Sequence, residues 1–181
     1  MVERKKSKGE ESLPVPSGTV TFLFTDIEGS TKLWEAHQEA MRRAVARHDV
    51  LLQQSIAAWG GHVFKTVGDA FCAAFATAPD AVAAVLAAQQ AVQAEPWAEG
   101  IQLRVRMALH TGAADLRDGD YFGPPLNHVA RLLAIGHGGQ TLVSEITRDL
   151  CGERLPVRST LKALGEHSLK DLARRQAVFQ L

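Results

Sequence analysis

Apolar and polar positions along this chain switch between the period of a strand and the period of a helix. Thr19-Val20-Thr21-Phe22-Leu23-Phe24-Thr25 is β-branched and aromatic, too apolar to be half exposed, and predicts a central strand. It runs into Asp26-Ile27-Glu28-Gly29-Ser30-Thr31, a turn that offers helix N-caps. Leu33, Trp34, His37, Met41, Ala44, Val45, His48 and Leu52 then recur on one helical face. They predict one long helix to about Trp59, stopped by Gly60-Gly61. Trp34 and Trp59 read as core, and His37 and His48 as core-edge residues on the apolar face.

A hairpin follows, with strands over 62–66 and 70–75 joined by Val67-Gly68-Asp69. Thr77-Ala78-Pro79-Asp80 opens an Ala-rich helix to about Ala94, with a cap, an early proline and an acid in its first turn. Residues 103–110 alternate as a fourth strand, and Pro124-Pro125 opens a helix to about Ala134. A strand over 141–143, a helix over 145–150 and strands near Val157 and Val178 complete the chain. The order β-α-β-β-α-β with an α/β tail predicts an α+β fold, a ferredoxin-like βαββαβ sandwich with a C-terminal α/β extension and its helices on one face of the sheet.

Composition narrows the function. The 181 residues suit one domain plus a tail, and the formal net charge is zero. That balance argues against a nucleic-acid or membrane-surface protein. No apolar run approaches the ~20 residues that span a bilayer, and no h-region follows the charged start. Cys72 and Cys151 form neither a metal-ligand spacing nor a disulfide framework. These features predict a cytoplasmic protein. Residues 1–17, rich in Lys, Glu, Ser and Pro, read as a flexible tail or linker, with the folded domain over 18–181.

Two acids fall where a metal could bind. Asp26 follows the first strand and Asp69 lies in the hairpin turn, and the first and third strands can be sheet neighbours. Paired carboxylates with open water positions suit Mg²⁺, whereas each Asp alone reads as an ordinary turn or cap residue. Between the strand and the next helix, Glu28, Gly29 and Ser30 offer backbone N–H groups to an anion, and Gly29 lets a phosphate approach closely. Gly136-His137-Gly138-Gly139 reads as a connecting turn rather than a phosphate cradle.

Three segments carry a resemblance. Phe24-Thr25-Asp26-Ile27-Glu28-Gly29-Ser30-Thr31, Lys65-Thr66-Val67-Gly68-Asp69-Ala70-Phe71 and Asp120-Tyr121-Phe122-Gly123-Pro124-Pro125-Leu126-Asn127-His128-Val129-Ala130-Arg131-Leu132 resemble, in order, three signatures of the class III adenylyl and guanylyl cyclases. The resemblance, most like bacterial adenylate cyclases, covers the chain from about Gly18 to Leu181. It implies that Asp26 and Asp69, with the Ile27 carbonyl, hold two Mg²⁺ or Mn²⁺ ions. It implies that Lys65 and Asp120 read the purine edge, that Asn127 orients the ribose, and that Arg131 neutralises charge on the transferring phosphate. Ammonium and carboxylate suit adenine, which accepts at N1 and donates from its exocyclic amine, so the implied substrate is ATP and the product cyclic AMP.

The resemblance also implies a homodimer, with the metal acids from one subunit and Lys65, Asp120, Asn127 and Arg131 from the other. A regulatory domain outside this chain is a further implied partner. Three positions depart from the family: Ser30 stands where Phe is usual, His128 where an apolar residue is typical, and the stretch 113–119, normally a dimer arm, is short. That shortness leaves Asp115 or Asp118 as alternatives to Asp120, although Phe122-Gly123 favours Asp120. A silent cyclase-like regulatory module is the rival reading. A diguanylate cyclase is disfavoured by the turn Val67-Gly68-Asp69-Ala70-Phe71, which lacks the Gly-Gly-acid-Glu-Phe pattern.

Overall fold

A computed structural model describes residues 14–98 and 100–181. The predicted tail over 1–17 lies outside them except for its last four residues. Of these, Pro16 is buried, and its carbonyl accepts a hydrogen bond from the Tyr121 hydroxyl.

Among the described residues, eight strands form one sheet. β1 (Gly18–Ile27) is central, between β3 (Ala70–Phe75) and β4 (Val105–Arg117), and β2 (His62–Val67) forms the outer edge beside β3. Beyond β4 come β6 (Thr141–Ser144), β8 (Gln176–Gln180) and β7 (Lys162–His167), while β5 (Asp120–Phe122) pairs only with β4. The order β2-β3-β1-β4 is that of a ferredoxin-like sandwich, and β6, β8 and β7 are the C-terminal extension. The fold is α+β, as the strand and helix patterns predict.

Alternation sorts the core into two faces. Leu23 and Ile27 of β1, Ala73 and Phe75 of β3, and Met107 and Leu109 of β4 pack with α2 (Gln38–Ala58) and α3 (Ala78–Ala94). Val20 and Phe22, Ala74 and Ala108 point the other way and pack with α4 (Pro124–Ala134) through Val129 and Leu132. Helices therefore cover both faces, not one as predicted. The residues that put α4 opposite are Pro125, Val129 and Leu132, buried at i, i+4 and i+7.

The predicted long helix is two: α1 (Ser30–Ala36) and α2, separated by His37 at φ −142°, ψ 50°. The apolar stripe hides this break because α1 buries none of its residues, so nothing forces it to be collinear with α2. His37 is exposed rather than at the core edge, Trp59 is 45% exposed rather than core, and His48 is fully buried against Phe71. The strand predicted near Val157 is a turn: Arg158 has φ 64°, the Ser159 N–H donates to the Pro156 carbonyl, and Val157 is exposed.

Candidate active site

The face opposite α2 and α3 carries the predicted chemistry. Asp26 alternates with the inward Ile27 and so shares the surface of Phe22 and Phe24. Its direct cross-strand partner is Arg106 on β4, whose Nε donates to Asp26 Oδ2 at 2.8 Å and whose Nη2 donates to the same oxygen. The β1–β3 ladder is regular from Thr21↔Phe75 to Phe24↔Cys72, and side chains then take over from it. The Phe71 N–H donates to Thr25 Oγ1 at 3.1 Å, and the Ile27 N–H donates to Asp69 Oδ2 at 3.2 Å. The second bond folds the hairpin turn back onto the end of β1, so that Asp69 meets the residue beside Asp26. Gly68, at φ 61°, allows that turn.

Lys65 reaches the same face by a bulge. Val63 pairs with Ala73, but Lys65 pairs with Cys72, because the register shifts between them. Strict alternation would put Lys65 on the face covered by α2 and α3 with Val63; the shift places it beside Phe64 instead. Phe64 packs edge-on against Tyr121 at 4.9 Å between ring centroids and against Phe22 at 6.1 Å. This aromatic cluster docks β5 beside β2, where Lys65 Nζ donates to Asp120 Oδ2 at 2.7 Å. Asp120 Oδ1 also accepts the Tyr121 N–H. The bond to Lys65 holds the Asp120 carboxyl below its usual range and raises the ammonium. Burial raises the Cys72 thiol beneath them to about 11.

The short 113–119 stretch is a tight hairpin. Asp118 and Gly119, with φ 50° and 80°, form the turn between β4 and β5, the Asp-Gly signature of a type I′ hairpin. Asp115 is exposed and paired with Arg117, and Asp118 is in the turn; of the three acids it is Asp120 that meets Lys65.

On α4, Arg131 Nη1 donates to the Asn127 carbonyl and Nη2 to Asp171 Oδ2, both at 3.2 Å, while Arg131 Nε is buried without a partner among the described residues. His128 stacks on His110 of β4 with ring centroids 3.8 Å apart and planes 7° from parallel. His110 Nδ1 bonds Ser144 Oγ, and a buried chain continues through Thr147 and Thr111 to Thr21. Burial, and then His128, depress His110 to about 3; burial, and then Arg131, lower His128.

The Asp26–Ile27–Asp69 cluster, the Lys65–Asp120 pair and the Asn127–Arg131 pair are each brought together. Glu28 is directed elsewhere: its carboxylate accepts the Gly138 N–H at 3.0 Å, bracing the turn before β6. A Cβ at Gly138 would lie 2.5 Å from Arg104 Cβ and 2.7 Å from that carboxylate, so the close approach requires glycine. Gly29, at φ 69°, and Ser30 begin α1.

Among the described residues no group of three or more His, Cys, Asp or Glu side chains could hold a metal. Two carboxylates at adjoining strand ends nevertheless fit Mg²⁺ or Mn²⁺, which take one or two acids and complete their shell with water and phosphate oxygens. Arg106, Asp171 and the β2 bulge escaped the sequence reading. Arg106 is recoverable once β1 and β4 are registered, whereas the bulge leaves no mark in the apolar pattern.

The chain matches the model of the adenylate and guanylate cyclase catalytic domain over residues 14–181. An uncharacterized Mycobacterium tuberculosis protein is 42% identical over 168 residues, 92% of this chain and 56% of its own length. The chain thus spans about half of that relative. Podospora anserina adenylate cyclase is 33% identical over 160 residues, 75% of this chain and 8% of that protein. A Trypanosoma brucei adenylate cyclase structure, solved in its monomeric state, superposes with a TM-score of 0.86 at 30% identity, covering 94% of this chain and 93% of that one. The adenylyl cyclase CyaB of P. aeruginosa gives 0.76 at 27% identity, covering 90% and 93%. The guanylate cyclase domain of Catenaria anguillulae RhGC, at 18% identity, covers 90% and 95% with a TM-score of 0.77 and shares the fold.

Proposed function

The chain belongs to the adenylate and guanylate cyclase catalytic domain family, the class III nucleotidyl cyclases, and from that premise we propose that it converts ATP to 3′,5′-cyclic AMP and pyrophosphate at sites shared by two copies of the chain. The observation that carries the base choice is the Lys65–Asp120 pair, with a donor and an acceptor side by side at the rim of the site. Opened by a base, the ammonium donates to adenine N1 and the carboxylate accepts from the exocyclic amine; guanine offers the opposite pattern at both atoms.

Asp26 and Asp69 would hold two Mg²⁺ or Mn²⁺ ions, which would acidify the ribose 3′-hydroxyl and screen the phosphates. Asn127 orients the ribose so that the 3′-oxygen lies in line with the α-phosphorus. The new bond forms from that oxygen to phosphorus, the hydroxyl proton passes to solvent water, and the bond from phosphorus to the bridging oxygen breaks to release pyrophosphate. Arg131 stabilises the charge that grows on the α-phosphate. Its buried, unpartnered Nε and its exposed partner Asp171 are consistent with a side chain that re-pairs when an anion arrives. The backbone at Gly29 and Ser30 receives the polyphosphate, with Glu28 bracing the loop from behind.

Sharing between two copies is supported by Val67 and Phe122, which flank the Lys65–Asp120 pair and are 62% and 48% exposed. No helix among the described residues is long and apolar enough to cross a membrane, which fits action on a nucleotide in water. The test is product analysis: purified protein with ATP and Mn²⁺ yields cyclic AMP and pyrophosphate in equal amounts. Bound nucleotide with no product at any protein concentration would favour the silent module instead.

A further inference from the structure

We infer that Arg106 is the resident counter-ion of the metal site, holding the Asp26 carboxylate so that a divalent ion binds weakly until nucleotide arrives with it. The inference rests on the reading of Asp26 and Asp69 as metal ligands.

Register and alternation impose the contact. Asp26 and Arg106 are direct partners in the β1–β4 ladder, so their side chains must emerge on the same face. Both Nε and Nη2 of the guanidinium converge on one oxygen, Asp26 Oδ2. The two side chains are only 26% and 30% exposed, so the pair is partly shielded from water. Charge-assisted bonds in such a setting are stronger than surface ion pairs, and breaking one strands a charge. Asp69 is engaged as well, through the Ile27 N–H. A lone divalent ion therefore meets no free pair of carboxylates. It must displace the guanidinium from Oδ2 or bind Oδ1 beside a fixed positive charge.

Nucleotide changes that balance. Its polyphosphate supplies the negative charge that the released guanidinium loses, so ion and nucleotide favour each other's binding, and by linkage the coupling is reciprocal. The arrangement suppresses capture of free metal and ties assembly of the reactive site to the substrate.

The experiment measures Mn²⁺ binding to the full chain by electron paramagnetic resonance, with and without a non-cyclisable ATP analogue. Arg106→Gln is expected to tighten binding of Mn²⁺ alone by about tenfold and to shrink the enhancement by the analogue by a like factor. Arg106→Lys, which keeps the charge but loses the planar fork, gives a smaller increase, and it carries the test if circular dichroism shows Arg106→Gln unfolded. Arg104→Gln, two residues earlier and just ahead of β4, separates a specific lock from the general field and leaves Mn²⁺ affinity unchanged. Asp26→Asn abolishes binding. If Arg106 variants bind Mn²⁺ no tighter than the parent while Asp26→Asn still loses it, the counter-ion role is wrong and the metal site stands. An equal gain from Arg104→Gln also overturns the counter-ion role. Unchanged binding in Asp26→Asn overturns the metal site and the counter-ion role together.

Discussion

Asp26 sits at the end of the central strand and Asp69 in the hairpin turn folded against it, tied by Arg106 from β4 and by the Ile27 N–H respectively. Lys65 and Asp120 sit on the sheet's outer edge strand and a three-residue strand, held mainly by each other, with side chains 52% and 30% exposed. The first region has neighbours on both sides and is finished by folding one chain. The second is positioned from below by Phe22, Phe64 and Tyr121 but is open above, between exposed Val67 and Phe122. On the proposed reading the difference teaches that one copy would build the metal-binding half by itself, while the half proposed to read the base is a surface that a second copy would cover.

The sharpest way to break the contrast is at its inner end. Asp26→Ala or Asp69→Ala should lower cyclic AMP formation at least about a thousandfold at saturating Mn²⁺, because ligands are lost. Circular dichroism should remain that of the parent, since neither side chain belongs to either hydrophobic core cluster. Appreciable turnover by either variant counts decisively against the assigned ligands.

At the outer end the expected effect is on choice rather than existence of activity. The parent should prefer ATP over GTP by roughly a hundredfold or more, and Lys65→Glu combined with Asp120→Cys should bring the two within about tenfold. Comparable kcat/KM for both nucleotides in the parent would show that this pair does not set specificity.

The smallest effect lies outside both regions, at the His110–His128 stack. Both imidazoles have folded pKa values below their ordinary 6.5, so below that pH the unfolded chain binds more protons than the folded one. Their contribution is fully present above about pH 6.5 and is lost as pH falls toward the His110 value of about 3. Melting temperature should drop by about 3 °C per pH unit below pH 6, and His128→Phe, which can keep the stack, should flatten that slope. An unchanged slope would place the titration elsewhere.

Much of this was legible in the sequence because it depends on short-range pattern. The strand before Asp26, the hairpin around Gly68 and the proline start of α4 each announce themselves locally. Register is a different matter. The bulge that turns Lys65 toward Asp120 changes no residue type, and the break at His37 leaves the apolar stripe unbroken. Arg106 becomes meaningful only when β4 is laid against β1. The Asp118-Gly119 turn is announced by its dipeptide alone, while the shortness of the 113–119 stretch says nothing of its geometry.

Mixing two dead variants tests the shared site most directly. Asp26→Ala lacks the inner half at both sites of its homodimer, and Arg131→Ala lacks the outer half at both. In a mixed dimer one site carries both defects and the other carries neither. Random exchange at equal concentrations makes about half of all dimers mixed, so the account predicts recovery of about a quarter of parental cyclic AMP formation. A mixture as inactive as its parents, with subunit exchange demonstrated by differently tagged chains, would contradict it.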